Sequence, residues 1–121
     1  MDYDLLNGAD LAFIGDACYE LYIRKHILDN GVTKLLELHK TSVKYVSKTA
    51  QSKIIKDLLP ELTEEEIEIF KRGRNYKYKK VDSEYVNASG FEALIGYLYL
   101  KQNNERMEYL ISKAIEIIET E

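Results

Sequence analysis

The chain has 121 residues, 45% of them apolar and 31% charged, with a formal charge of −4. That length allows one domain, residues 1–121, and the composition excludes a disordered polymer. A single cysteine, Cys18, excludes an intrachain disulfide, and no apolar run approaches the roughly 20 residues of a membrane span. The acidic start, Met1-Asp2-Tyr3-Asp4, has no basic and apolar leader, so a reducing cytoplasm is the expected setting. One proline and six glycines favour long helices over a turn-rich β-sandwich.

The first helix is predicted over 7–29, with Asn7 as its cap. Leu11, Ile14, Cys18, Leu21 and Leu28 share its apolar face, and Asn30-Gly31 stops it. A second helix starts near Thr33 and carries Leu36, Leu38, Val43 and Val46. It continues over 49–59 after a bend, and Pro60 ends it. Thr63-Glu64-Glu65-Glu66 reads as a capping box, with three acids at the positive end of the next helix dipole. That helix is expected to end at Gly73, with a loop reaching to Val86. Further helices are predicted over 88–101 and 104–119, the last burying Met107, Leu110, Ile111, Ala114, Ile117 and Ile118. The fold class is all-α, a bundle-like helical array.

Charge is unevenly spread. Residues 71–80 hold six basic side chains and no acidic one, while the rest of the chain is acidic. Lys40, Lys44 and Lys48 fall at a spacing of four and read as a solvated helix face. His26 and His39 have no metal-ligand spacing and read as structural or surface residues.

Two acids stand in apolar company. Asp16 lies in Leu11-Ala12-Phe13-Ile14-Gly15-Asp16-Ala17-Cys18, and Glu92 in Gly90-Phe91-Glu92-Ala93-Leu94-Ile95-Gly96. A carboxylate in such a run is costly unless exposed, paired or bound to a cation. Ala12 and Glu20 flank Asp16 by one turn, and Ser89 and Gly96 flank Glu92. Two carboxylates brought face to face would repel unless a proton or cation lay between them, and oxygen ligands suit Mg2+ or Mn2+. The alternative is that each acid marks the solvated edge of its helix.

At these two segments the chain resembles the ribonuclease III family. Leu11-Ala12-Phe13-Ile14-Gly15-Asp16-Ala17 is similar to the family's first signature, L-E-F-L-G-D-A, and residues 88–100 to its second, A-D-x-F-E-A-L-I-G-A-x-Y-L. Nothing follows the last helix, and Arg72-Gly73-Arg74-Asn75 precedes a basic stretch. Both features resemble the family's short branch, which lacks a double-stranded-RNA-binding domain.

The resemblance implies the ribonuclease III endonuclease-domain fold and Mg2+-dependent hydrolysis of double-stranded RNA, with Mn2+ as a substitute. It implies that Asp16 and Glu92 bind the metal and are catalytic. Ala12 and Ser89 stand where the family has two further carboxylates, which leaves the metal number open. Glu20 is a candidate outer-shell ligand, or else an exposed helix acid. The resemblance further implies a homodimer, and maturation of the large-subunit (23S) ribosomal RNA precursor, with help from a ribosomal protein bound to that substrate. Arg72, Arg74, Lys77, Lys79 and Lys80 are candidate phosphate contacts, and Asn75 a candidate for a 2′-hydroxyl. Tyr76 and Tyr78 either pack beneath that segment or touch RNA. Two rival readings are a non-catalytic RNA-binding module of the same fold and a helical protein–protein adaptor.

Overall fold

The computed structural model describes residues 1–76 and 82–121. They form six α-helices: α1 (Gly8–Asp29), α2 (Leu35–Val46), α3 (Lys48–Leu58), α4 (Glu64–Asn75), α5 (Ser83–Leu100) and α6 (Asn104–Glu119). Short 3-10 turns cover Tyr3–Leu5 and Leu59–Glu61. No strand occurs among the described residues. The all-α expectation therefore holds, and most helix starts are set by chemistry visible in the sequence. Asn7 accepts from the Asp10 amide at 2.8 Å, and the Thr63–Glu66 capping box closes in both directions at 2.9 and 3.1 Å.

α5 is the axis of the molecule. Every residue from Ala88 to Leu98 is buried, because α1, α3, α4 and α6 all pack around it. A helix apolar on all sides belongs at such a centre. The approach of α1 to α5 is set by two glycines. A Cβ on Gly15 would overlap the Glu92 carbonyl, and one on Gly96 would overlap the Leu11 carbonyl. The two backbones thus touch directly, one residue from Asp16 and one turn from Glu92. Gly73 and Gly90 make the α4–α5 contact close in the same way, against Ser89, Ala93 and Phe70.

Glu66 ties α4 to α6. It is buried, yet the Arg106 guanidinium grips both of its oxygens at 2.8 and 2.9 Å and also donates to the Glu61 carbonyl. Burial alone would raise its pKa. The Arg106 hydrogen bonds and the Thr63 amide outweigh that and hold it below the usual carboxylate range.

The structure corrects several expectations. α4 runs on through Gly73 to Asn75, and α5 starts at Ser83, five residues before the predicted 88. Asp82 caps that start by accepting from the Glu84 amide at 2.9 Å. Ser47 breaks α2 from α3 with an extended backbone and caps the latter by accepting from the Ala50 amide. On α1 the buried face is Leu11, Ala12, Gly15, Cys18, Tyr19, Ile23 and Ile27. Leu21 and Leu28, assigned to the core, are exposed, as are Leu36 and Val43 on α2. The face of α1 that enters the core carries Ala12, Gly15 and Cys18 among larger residues, and Leu21 and Leu28 lie off it.

Replacing Gly15 with Ala is expected to cost about 3 kcal/mol, because the methyl meets backbone and not a movable side chain. Urea unfolding measures this. A variant with an unchanged midpoint would show that the helices can separate without cost.

Candidate active site

The close approach of α1 and α5 opens a cleft lined by Ala9, Ala12, Phe13, Asp16, Lys48, Tyr76, Tyr85, Ser89 and Glu92. Both acids singled out by sequence meet here. Asp16 is exposed on α1, and Glu92 is only 4% exposed on α5. Ala12 and Ser89, the positions without the family's further carboxylates, line the same cleft.

Glu92 is electrostatically unsettled. Burial pushes its pKa up to about 7, and the neighbouring Asp16 carboxylate adds to that, while Lys48 and the Gln51 amide pull the other way. Among the described residues, Glu92 Oε2 accepts no hydrogen bond. Among the described residues, the cation that faces it is Lys48 Nζ, 3.6 Å away and beyond hydrogen-bond range. A buried carboxylate oxygen without a donor, beside a second carboxylate, is a position suited to a divalent cation. The donor set is all oxygen, which fits a hard ion. Among the described residues no group of three or more His, Cys, Asp or Glu side chains gathers anywhere. The site therefore offers two carboxylates and leaves further coordination to water or substrate.

The other expected residues fall into three groups. Glu20 pairs with Arg24 at 3.2 Å and does not line the cleft. Arg72 Nη1 donates to the carbonyls of Asp4 and Leu6 at 2.9 and 3.1 Å, so it clamps the N-terminal segment onto α4. Arg74 lies over the Phe70 ring, and its Nε donates to Asn75 Oδ1 at 3.4 Å on the last turn of α4. Lys77, Lys79 and Lys80, with Tyr78, lie outside the described residues. Tyr76 lines the cleft. His26 hydrogen-bonds Glu119 at 2.7 Å, consistent with a structural reading.

Two contributors escaped the sequence reading. Lys48 looked like the end of a lysine row, but the break at Ser47 places it on a different helix, at the cleft. Gln51 is 1% exposed, donates to the Val46 carbonyl at 2.9 Å, and also reaches the Glu92 carboxylate. The available signal was Ser47 as a helix cap, which puts Lys48 and Gln51 one turn apart on a new helix.

Comparison with known proteins agrees with this geometry. The Ribonuclease III domain family matches residues 9–103. Mini-ribonuclease 3 of Streptococcus pneumoniae is 47% identical over 98% of each chain, and that of Enterococcus faecalis 46% identical over 95% of this chain and 92% of that one. A crystal structure of a Fusobacterium nucleatum protein superposes with a TM-score of 0.83, at 36% identity, covering 93% of both chains. The helical array and the family match over most of the chain define an endoribonuclease of double-stranded RNA. The chain belongs to the ribonuclease III family, in the branch of the Mini-ribonuclease 3 proteins. That family depends on divalent metal.

Because the folded state raises the Glu92 pKa, it binds a proton that the unfolded chain releases near 4.5. Stability therefore falls as pH rises from about 4.5 to about 7. Glu92→Gln is expected to be more stable than the parent by about 3 kcal/mol at pH 8 in EDTA, and equal to it at pH 4. Thermal melts at the two pH values check this. A variant less stable at pH 8 would mean that Lys48 and Gln51 outweigh burial.

Proposed function

We propose that Asp16 and Glu92 hold Mg2+, with Mn2+ able to replace it, and that residues 1–121 act as one catalytic domain. The observation that carries this reading is the buried, donorless Oε2 of Glu92 beside Asp16. A divalent cation bound there supplies a polarised phosphoryl oxygen and a water acidified toward neutral pH. The protein does the rest. Glu92, held by α5 and flanked by Gln51, fixes one oxygen in a dry wall of the cleft. Asp16, exposed on α1, reaches both that position and the solvent side where a phosphate must enter. The nearly full burial of Glu92 limits water on its side and strengthens each charge interaction.

Duplex RNA is recognised by shape, phosphates and 2′-hydroxyls, which suits Arg74 and Asn75 at the end of α4 and Lys77, Lys79 and Lys80 beyond it. Arg72 serves this surface indirectly, by anchoring α4 to the chain's start. One chain supplies one cleft, so cutting both strands takes two copies. Phe13, Leu21 and Leu28 on α1, with Leu35, Leu36 and Val43 on α2, are all exposed. This much apolar surface on one side supports a homodimer built through it. The proposed substrate is the large-subunit (23S) ribosomal RNA precursor in the cytoplasm, presented with a bound ribosomal protein.

The test is cleavage of a uniform RNA duplex by the purified protein. We expect Mg2+-dependent cutting that EDTA stops and that Asp16→Asn lowers by at least about 10²-fold, with folding intact. Binding without cutting under every metal would instead favour a non-catalytic RNA-binding module.

A further inference from the structure

Among the described residues, the cleft contains one cation, Lys48, that the two-carboxylate reading does not use. Lys48 Nζ stands 3.6 Å from Glu92 Oε2 and 5.3 Å from the centre of the Tyr85 ring. Its side chain remains 45% exposed, so it can swing. Its position is poor for local stability. Lys48 is the first residue of α3, where the helix dipole is positive, and the first turn holds no acid to compensate. A lysine there also does not satisfy Glu92, whose Oε2 still lacks a hydrogen bond. The contact is a long ion pair without a hydrogen bond, and both side chains line the cleft.

Formal charge shows what such a lysine can do. Asp16 and Glu92 contribute two negative charges, which one divalent cation cancels. The phosphodiester then adds one negative charge, and a second as its transition state develops. Ala12 and Ser89 add no charge to the cleft, and among the described residues no third acid lines it. Lys48 supplies the missing positive charge from the protein itself.

Resting on the nuclease reading above, we propose that Lys48 is a substrate contact. Its ammonium rests against Glu92 in the free protein and moves to a non-bridging oxygen of the scissile phosphate once a cation takes Glu92. No covalent bond to lysine forms. The ammonium keeps its three protons and donates one hydrogen bond to the phosphate as charge builds.

The experiment compares Lys48→Met and Lys48→Arg with the parent protein in three measurements. Mn2+ affinity without RNA is read by calorimetry. Lys48→Met is expected to bind several-fold more tightly, because the competing ammonium is gone. Single-turnover cleavage of a duplex at saturating Mg2+ is expected to fall roughly 10²-fold in Lys48→Met and to be largely kept in Lys48→Arg. Duplex binding is measured in Glu92→Gln, which does not cut and leaves Lys48 without its resting partner. Adding Lys48→Met there should weaken binding several-fold and flatten the salt dependence by about one phosphate contact per site. If Lys48→Met binds Mn2+ more tightly yet cuts at the parent rate and leaves duplex binding unchanged, Lys48 is only a counter-ion and the proposal falls. Should the parent protein fail to cut with any metal, the nuclease reading fails by itself, and the Glu92→Gln binding measurement still decides whether Lys48 touches phosphate.

Discussion

Gly15 and Gly96 let the backbones of α1 and α5 meet where any side chain would hold them apart, and the functional geometry depends on that contact. Helices usually pack about 8–10 Å apart through interdigitated side chains. Here the contact atoms are carbonyls and amides. Asp16 and Glu92 sit beside this contact, one on each helix, so the spacing of the two backbones that carry the carboxylates is set by direct backbone contact and not by interdigitated side chains. The buried α5 supplies a rigid reference, and α4 and α6 are locked to one another by the Glu66–Arg106 pair. Rigid elements of this kind hold a metal site more accurately than loops do.

The same packing creates the site's electrostatics. Placing Glu92 on the central helix strips it of water, and among the described residues a lysine 3.6 Å away and a glutamine amide compensate only in part. An uncompensated carboxylate costs folding free energy, and the core absorbs that cost. Function then follows from the imbalance. In the proposed function, this under-compensated charge is what would draw a cation into the cleft.

The legible part of this chain was the local chemistry. Asn7, the Thr63–Glu66 box and Asn30-Gly31 mark helix ends by short-range rules, and the structure uses them. The limits of α6 likewise follow from a clean apolar stripe. Asp16 and Glu92 were conspicuous because charge in an apolar motif needs a reason. Less legible was anything decided by tertiary context. Leu21, Leu28, Leu36 and Val43 look like core by spacing, yet the face that enters the core of α1 is built from Ala12, Gly15 and Cys18. Periodicity reports that a face is apolar, not which apolar face meets the same chain. Gly73 looked like a helix stop, but it is a contact glycine inside the last turn, pressed against Ser89 and Ala93. Lys48 was hidden for a related reason: a spacing of four implies a shared face only if the helix is continuous, and Ser47 interrupts it.

Anomalous X-ray diffraction from crystals of the protein soaked in Mn2+ tests most directly whether the contact of α1 with α5 builds one cation site between Asp16 and Glu92. A manganese peak is expected about 2.1 Å from an oxygen of each carboxylate, with Lys48 displaced from Glu92. Manganese bound only elsewhere, with Glu92 still facing Lys48, would contradict it.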